Sequence, residues 1–479
     1  GFGDFVFRDP HSLAPIMRAH DLWDLQHRLL DVPDESFEFH VKNNDISKWL
    51  KARALFTLAN YLRPKQLSDF ENTHQAKEFI INAIKEFRLQ EGRGTIAEFQ
   101  RERFDEISFF SRIGSGSLGG KGRGLAFIDL QLKKHRLAYK YSDIVITIPR
   151  TVVLTTQLFD DFMEENGLYD LALSDRSDEE IRSAFLAGRL PEKLDEDLSA
   201  ILTVMHNPIA IRSSSLLEDS HYQPFAGIYE TFMLPNSHED FSRRIQDLSD
   251  AIKLVYASTY FRRSKDYMRA TGNMIEEEKM AVIIQEVVGS VYDGLCYPNA
   301  SGVARSLNFY PVENEKPDDG IVNVAFGLGK TVVDGELSLR FSPRFPKKII
   351  QLSDIGTTLK STQKKFYALD MTPDSFTPTS ENGGCMRHLD IQDAEGHGSL
   401  KWAASTYDFE NHVLRDGTSY RGKRVITFSS ILKYKMFPLP EIIKDLLEMG
   451  RKAMNTPIEI EFAVNLDTPR GAPAMFSFL

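Results

Sequence analysis

Cysteine is scarce in this chain: 479 residues include two, Cys296 and Cys385. Two thiols cannot build a disulfide framework or a four-cysteine zinc site, so both read as reduced and structural. Long apolar runs are missing too. No stretch approaches the roughly 20 uninterrupted apolar residues of a membrane helix, and no basic segment followed by a hydrophobic one opens the chain. A cytoplasmic protein with no membrane contact is expected. Positive charge is in deficit, with 58 Lys plus Arg against 68 Asp plus Glu and a net charge of -10. A generic electrostatic grip on nucleic acid is therefore disfavoured, and any basic site must be local. The remaining composition, 42% apolar and 26% charged with 30 glycines and 21 prolines, is that of a folded protein rather than a disordered, collagen-like or coiled-coil chain. At roughly 100 to 200 residues per domain, the length predicts two to four domains. The chain begins at Gly1 without Met and stops inside the strand-like run at 474–479, so it reads as a piece of something longer.

Residues 1–105 read as a small, mostly helical domain. Asp45 is placed to cap a helix from Ile46 to Leu62, with Ile46, Leu50, Leu58 and Leu62 on one stripe and Pro64 as its stop. Behind a cap at Thr73, Phe79, Ile80, Ala83, Ile84 and Phe87 recur at helical spacing. His20, His40 and Trp49 read as core filling. From 106 to 479 the texture changes to short β-branched runs broken by glycine. Strands are expected at 144–148, 210–211, 280–288, 321–326 and 458–464, with amphipathic helices at 157–165, 195–205, 241–260 and 441–454. This alternation predicts a mixed α/β or α+β body rather than a sandwich, and α+β is the class expected. Residues 345–425 are polar and irregular and read as an insertion or small subdomain.

Chemistry concentrates in a few segments. Gly114-Ser-Gly-Ser-Leu-Gly-Gly-Lys-Gly-Arg-Gly124 holds six glycines in 11 positions, which lets successive amides converge on an anion, with the helix expected from Leu125 to Lys134 adding its positive end and Lys121 a point charge. The dinucleotide pattern lacks its later acidic residue, and the P-loop pattern has Ser115 and Gly122 at the wrong places. A flexible glycine loop is the alternative. Arg212-Ser213-Ser214-Ser215 follows a short apolar strand, where a guanidinium fork and hydroxyls would serve phosphate oxygens; the alternative is simple pairing of Arg212 with Glu218 or Asp219. Met280 to Gly289 reads as a buried strand leaving the core, and its exit, Gln285 to Val288, would offer main-chain groups to an adenine edge. Glu459 and Glu461 alternate with Ile458, Ile460 and Phe462, so both carboxylates share one face of a strand. Like charges side by side suit magnesium carried on phosphate oxygens; a solvent-facing acidic edge is the alternative. Val322 to Thr331 fails the P-loop pattern because Val324 occupies its first glycine position. His388 and His397 read as loop histidines.

Taken in order, these pieces resemble the N-terminal ATP-grasp nucleotide-binding domain of the phosphoenolpyruvate synthase and pyruvate phosphate dikinase family. The residues concerned are Gly119-Gly-Lys-Gly122, Ile148-Pro-Arg-Thr-Val-Val-Leu-Thr-Thr156, Ala210-Ile-Arg-Ser-Ser214 with Glu218-Asp219, Phe225-Ala-Gly227, Met280 to Gln285, Ser301-Gly-Val-Ala304, Gly327-Leu-Gly329 and Ile460-Glu461-Phe462. The resemblance implies a two-lobed ATP-grasp domain over 106–479. It implies that Gly119, Gly120, Lys121 and Arg212 contact the ATP phosphates, that main chain at Gln285, Glu286, Val287 and Val288 reads adenine, and that Gly302 belongs to a loop over the phosphates. Glu459 and Glu461 would hold Mg2+. It further implies a phosphotransferase that phosphorylates a histidine on a separate domain of the full-length chain, with pyruvate as final acceptor; this piece alone is expected to be inactive. Three departures stand out: Arg305 replaces an aromatic residue, Leu216-Leu217 replace small residues, and Glu459 replaces an Asp. The family's later Gln-x-Arg pair would fall beyond Leu479. With the helical extension, the departures keep open a second function, a nucleotide-sensing module without catalysis.

Overall fold

Helical periodicity over the first hundred residues records which positions are buried, and burial can continue where a helix does not. In the computed structural model, which describes residues 3–137, 140, 141, 143–215 and 227–479, the chain forms two compact units. One is Gly1–Arg93 with Glu102–Ser108, the other Gly94–Arg101 with Phe109–Leu479. The first unit has an antiparallel hairpin, Phe5–Arg8 with Pro15–Ala19, and helices Leu22–Arg28, Asp34–Lys42, Asp45–Ala52, Phe56–Leu62 and Thr73–Gly92. The helix expected from Ile46 to Leu62 is thus two helices. Asn44 enters it in the left-handed region and Ala54, at φ 62°, breaks it. Ile46, Leu50, Leu58 and Leu62 are nevertheless all buried in one core. The cap of the last helix is Asn72 rather than Thr73, its side chain accepting from the Gln75 amide. His40 is structural: its Nε2 accepts from the Arg8 amide at 2.9 Å and its Nδ1 lies 2.9 Å from Asp45 Oδ2.

The second unit is built on two six-stranded mixed sheets. The first runs Ala97–Glu98, Phe110–Ile113, Thr151–Leu154, Met280–Glu286, Ile209–Ser215, Thr231–Leu234; the second runs Leu339–Phe341, Ile321–Ala325, Ala300–Arg305, Glu459–Asn465, Ala474–Phe478, Ile144–Thr147. Met280 to Ile284 are fully buried, as an apolar run in a central strand requires. The stretch 345–425 is more regular than expected. Its Lys365–Asp370 and Met386–Asp390 complete a four-stranded antiparallel sheet with Ser290–Tyr292 and Leu295–Tyr297, and Ala404–Asp408 is the centre of a three-stranded one. Met386–Asp390 is largely exposed and Ala404–Asp408 buries the polar Ser405 and Thr406, so neither leaves a strong apolar signature. Both cysteines are buried and unpaired with each other; burial pushes Cys385 up to about 11 and Cys296 up to about 12. Among the described residues no helix is long and apolar enough to cross a membrane.

One junction positions the glycine loop. The helix expected from Leu125 starts at Gly119 and runs to His135, because a neighbouring strand supplies its cap. Ser214 Oγ accepts from the Gly122 amide at 3.0 Å and donates to the Leu118 carbonyl at 2.7 Å. Gly119 sits at φ +67°, and a Cβ there would lie 1.7 Å from the Ser214 carbonyl oxygen. Gly119→Ala should therefore lower stability by at least the ~1–2 kcal/mol of a left-handed backbone. Gly124→Ala, in the same helix with open space at its Cα, should raise it by about 0.5–1 kcal/mol. Thermal unfolding of both variants checks this; equal effects would mean that the loop is not pressed against the strand.

Candidate functional site

Along Ile209–Ser215, alternation puts Ala210, Arg212 and Ser214 on one face. The antiparallel register sets Ala210 opposite Gln285 and Arg212 opposite Ile283, so Gln285 is the diagonal neighbour of Arg212 on that face. Arg212 Nη1 donates to Gln285 Oε1 at 3.3 Å. Gln285 Nε2 in turn donates to Thr151 Oγ1 at 3.0 Å, and Thr151 Oγ1 donates to the Pro149 carbonyl at 2.8 Å. The other guanidinium nitrogen leaves this sheet: Arg212 Nη2 donates to Glu461 Oε2 of the second sheet at 2.8 Å. The Arg212 side chain is 14% exposed and that of Glu461 37%. One residue along the strand, Lys121 Nζ donates to the Ser213 carbonyl at 3.3 Å and reaches Ser213 Oγ at 3.4 Å. Lys121 and Arg212 thus both meet at the strand Ile209–Ser215, Lys121 through Ser213 and Arg212 as its central residue, and Glu461 meets Arg212. A guanidinium beside a carboxylate can turn its fork to an anion and leave the acid to a cation.

Other expected residues are placed differently. Ser213, Ser214 and Ser215 are buried instead of exposed at a strand terminus, since Ser214 caps the helix and Ser213 receives Lys121. Glu459 shares a strand face with Glu461 but stands opposite Arg305 in register, and those two side chains form an ion pair. The acids are therefore held by different arginines, which also gives the unusual Arg305 a physical role. Among the described residues no group of three or more His, Cys, Asp or Glu is arranged to hold a metal ion. Two carboxylates on one strand face remain a suitable donor set for a magnesium ion whose other ligands are phosphate oxygens.

Gly302 is not in a loop. It lies buried in the strand Ala300–Arg305, between Val324 and Phe462, and a Cβ there would lie 2.2 Å from the Asn323 carbonyl oxygen and 2.8 Å from the Phe462 ring. Its bare backbone serves sheet packing. At the strand exit the amides of Glu286 and Val287 are not available as expected, because they donate to the Arg150 and Pro208 carbonyls at 3.0 and 2.8 Å. Val288 is buried. The Glu286 carboxylate accepts from Arg150 Nη1 at 3.2 Å and Asn207 Nδ2 at 3.3 Å; burial raises its pKa, against the opposing charge of Arg150.

His388 is in a strand rather than a loop, stacked on Tyr367 with ring centroids 4.3 Å apart and 3.2 Å from Glu336. His397 Nδ1 lies 2.7 Å from the Tyr297 hydroxyl. The Gly327 carbonyl accepts from Ser301 Oγ at 2.6 Å, so this second glycine turn is also structural. Leu216, Leu217, Glu218, Asp219, Phe225 and Ala226 lie outside the described residues. Arg150 and Thr151 lie in the run 148–156 and Gln285 at the strand exit already singled out, but their side-chain contacts with the candidate residues, and Asn207 altogether, escaped the sequence reading. Such side-chain pairings acquire meaning once strand order is known.

Residues 115–472 match the family described as pyruvate phosphate dikinase, AMP/ATP-binding domain. Over 223 residues the chain is 26% identical to an uncharacterized phosphotransferase of Bacillus subtilis, covering 46% of this chain and 22% of that protein. Over 250 residues it is 26% identical to phosphoenolpyruvate synthase of Aeropyrum pernix, covering 48% and 28%. A rifampicin phosphotransferase of Bacillus cereus is 25% identical over 208 residues, covering 40% and 22%. The chain spans less than a third of the length of each of these relatives. With the match to the family running over more than half of its residues, the chain belongs to the pyruvate phosphate dikinase AMP/ATP-binding domain family.

Proposed function

We propose that this chain is the ATP-binding part, in an ATP-grasp arrangement, of a phosphotransferase like phosphoenolpyruvate synthase or pyruvate phosphate dikinase. The observation that carries the reading is the meeting of Arg212 and Glu461 from two sheets, beside the helix that brings Lys121. Phosphoryl transfer asks a protein mainly for positioning and charge neutralisation. In this reading the Arg212 fork and the Lys121 ammonium orient the polyphosphate, while the Gly119-Gly120 turn lets the helix start approach it. Gln285, braced on Thr151, keeps the guanidinium in place. The base edge is assigned to the Val288 end of Gln285 to Val288, with the Glu286 carboxyl beside it. Glu461, and Glu459 once it leaves Arg305, would hold Mg2+, which supplies further charge neutralisation. The phosphoryl group would pass to a histidine on a separate domain of the full-length chain and then to pyruvate.

A second reading, a nucleotide-sensing module without transfer, is favoured by the Arg305–Glu459 pair, which occupies one of the two acids. Under either reading Mg-ATP should raise the melting temperature of the chain. Lys121→Ala and Arg212→Ala should each weaken ATP binding about 10- to 100-fold, the magnitude of one charged-group hydrogen bond of about 1.5–3 kcal/mol. Calorimetric titration measures it, and unchanged affinity in both variants would remove these residues from the site.

The acids are separable. Glu461→Gln should abolish most of the gain that magnesium gives to ATP binding, and Glu459→Gln less of it, because its carboxylate must first leave Arg305. Glu461 is also paired, with Arg212, but in this reading the incoming polyphosphate takes that arginine and frees the acid, whereas no such exchange frees Glu459 from Arg305. Titrations with and without magnesium decide, and a larger effect at Glu459 would reverse the assignment.

A further inference from the structure

The first unit has an open cleft of about 480 Å3 that the nucleotide reading does not use. Three guanidinium groups line it, from Arg53, Arg88 and Arg103, together with His20, Trp23 and one carboxylate, Asp21. Such convergence of like charge needs support, and each arginine is held in place. Arg53 Nη2 donates to the Gly3 and His20 carbonyls at 3.0 and 2.9 Å, with its guanidinium 4.2 Å from the Trp49 ring centroid. Arg88 donates to Gln26 Oε1 at 2.6 Å and pairs with Asp105 at 2.8 Å. Arg103 donates to Asp21 Oδ2 at 2.6 Å.

Trp23 of the same lining carries a further donor just beneath the cleft surface. Trp23 Nε1 is buried and has no hydrogen-bond partner among the described residues, a rare condition in folded proteins that calls for a missing acceptor. The arginine forks that line the cleft are donors only, so the complementary ligand is rich in acceptor oxygens. Planar forks match phosphate bidentately. An aromatic ligand is less suited, since Trp23 already stacks on His27 at 4.2 Å and the Arg103 guanidinium lies 5.8 Å from its ring centroid. We propose that this cleft is a second anion site, taking a small phosphate-bearing molecule whose oxygens replace Asp21 on Arg103. The inference is independent of the nucleotide reading.

The test is calorimetric titration of the whole chain with inorganic pyrophosphate in the absence of magnesium. One saturable site is expected, weakened about tenfold by Arg103→Gln, the order of one charge-assisted bond. Asp21→Asn should instead strengthen binding several-fold, because it removes the competing charge. Asn is as good a cap as Asp for the helix Leu22–Arg28, whose Asp24 amide Asp21 accepts; a folding defect would not imitate tighter binding. Arg212→Ala should leave the affinity unchanged. Absence of saturable binding, an unchanged affinity in Asp21→Asn, or loss of binding in Arg212→Ala would overturn the proposal, the last by assigning the anion to the nucleotide site.

Discussion

The charge-assisted bond between Arg212 and Glu461 joins the two large sheets at the point where the candidate site forms. A guanidinium that is 14% exposed needs a partner, since removing one side of a mostly buried pair leaves a desolvated charge. The strand geometry provides it. Arg212 is on the face of its strand that also carries Gln285 across the register, so one nitrogen is fixed within its own sheet and another is directed to the second. In the proposed function a nucleotide exchanges with this pair, its phosphates taking the place of Glu461 on Arg212. Affinity then depends on the difference between two charge-assisted contacts, not on the sum of all contacts made.

The glycines and serines around this pair act mainly on architecture. Gly119 is bare because the Ser214 carbonyl occupies the space of a side chain, and Ser214 spends its hydroxyl on the helix start. Gly302 is bare because Phe462 and Asn323 crowd it. Such residues set how closely helix and strand approach, and so where the Lys121 ammonium emerges. The two acids of Glu459–Asn465 illustrate the same point for charge: instead of repelling across a shared space, each faces an arginine, Glu459 with Arg305 and Glu461 with Arg212.

The site was legible in part. Lys121, Arg212 and Glu461 could be singled out as candidates because glycine density, an arginine next to clustered hydroxyls and paired carboxylates are local patterns. Gly302 misled, because a glycine needed for sheet packing and one needed for a phosphate loop are the same letter. The amides of Glu286 and Val287 misled as well, since their acceptors, the Arg150 and Pro208 carbonyls, lie just before strands that are distant in sequence.

By itself the sequence determined the α+β class, the change of texture near residue 106 and the apolar positions of the core, because burial of apolar surface imprints a period of 3.6 or 2 on the chain. Tertiary structure alone decided that the 46–62 stretch is two helices, that a serine from another strand starts the glycine-loop helix, and which arginine answers which acid. Those outcomes rest on strand order and register, which bring together residues up to 249 positions apart, and no local pattern encodes a contact at that separation.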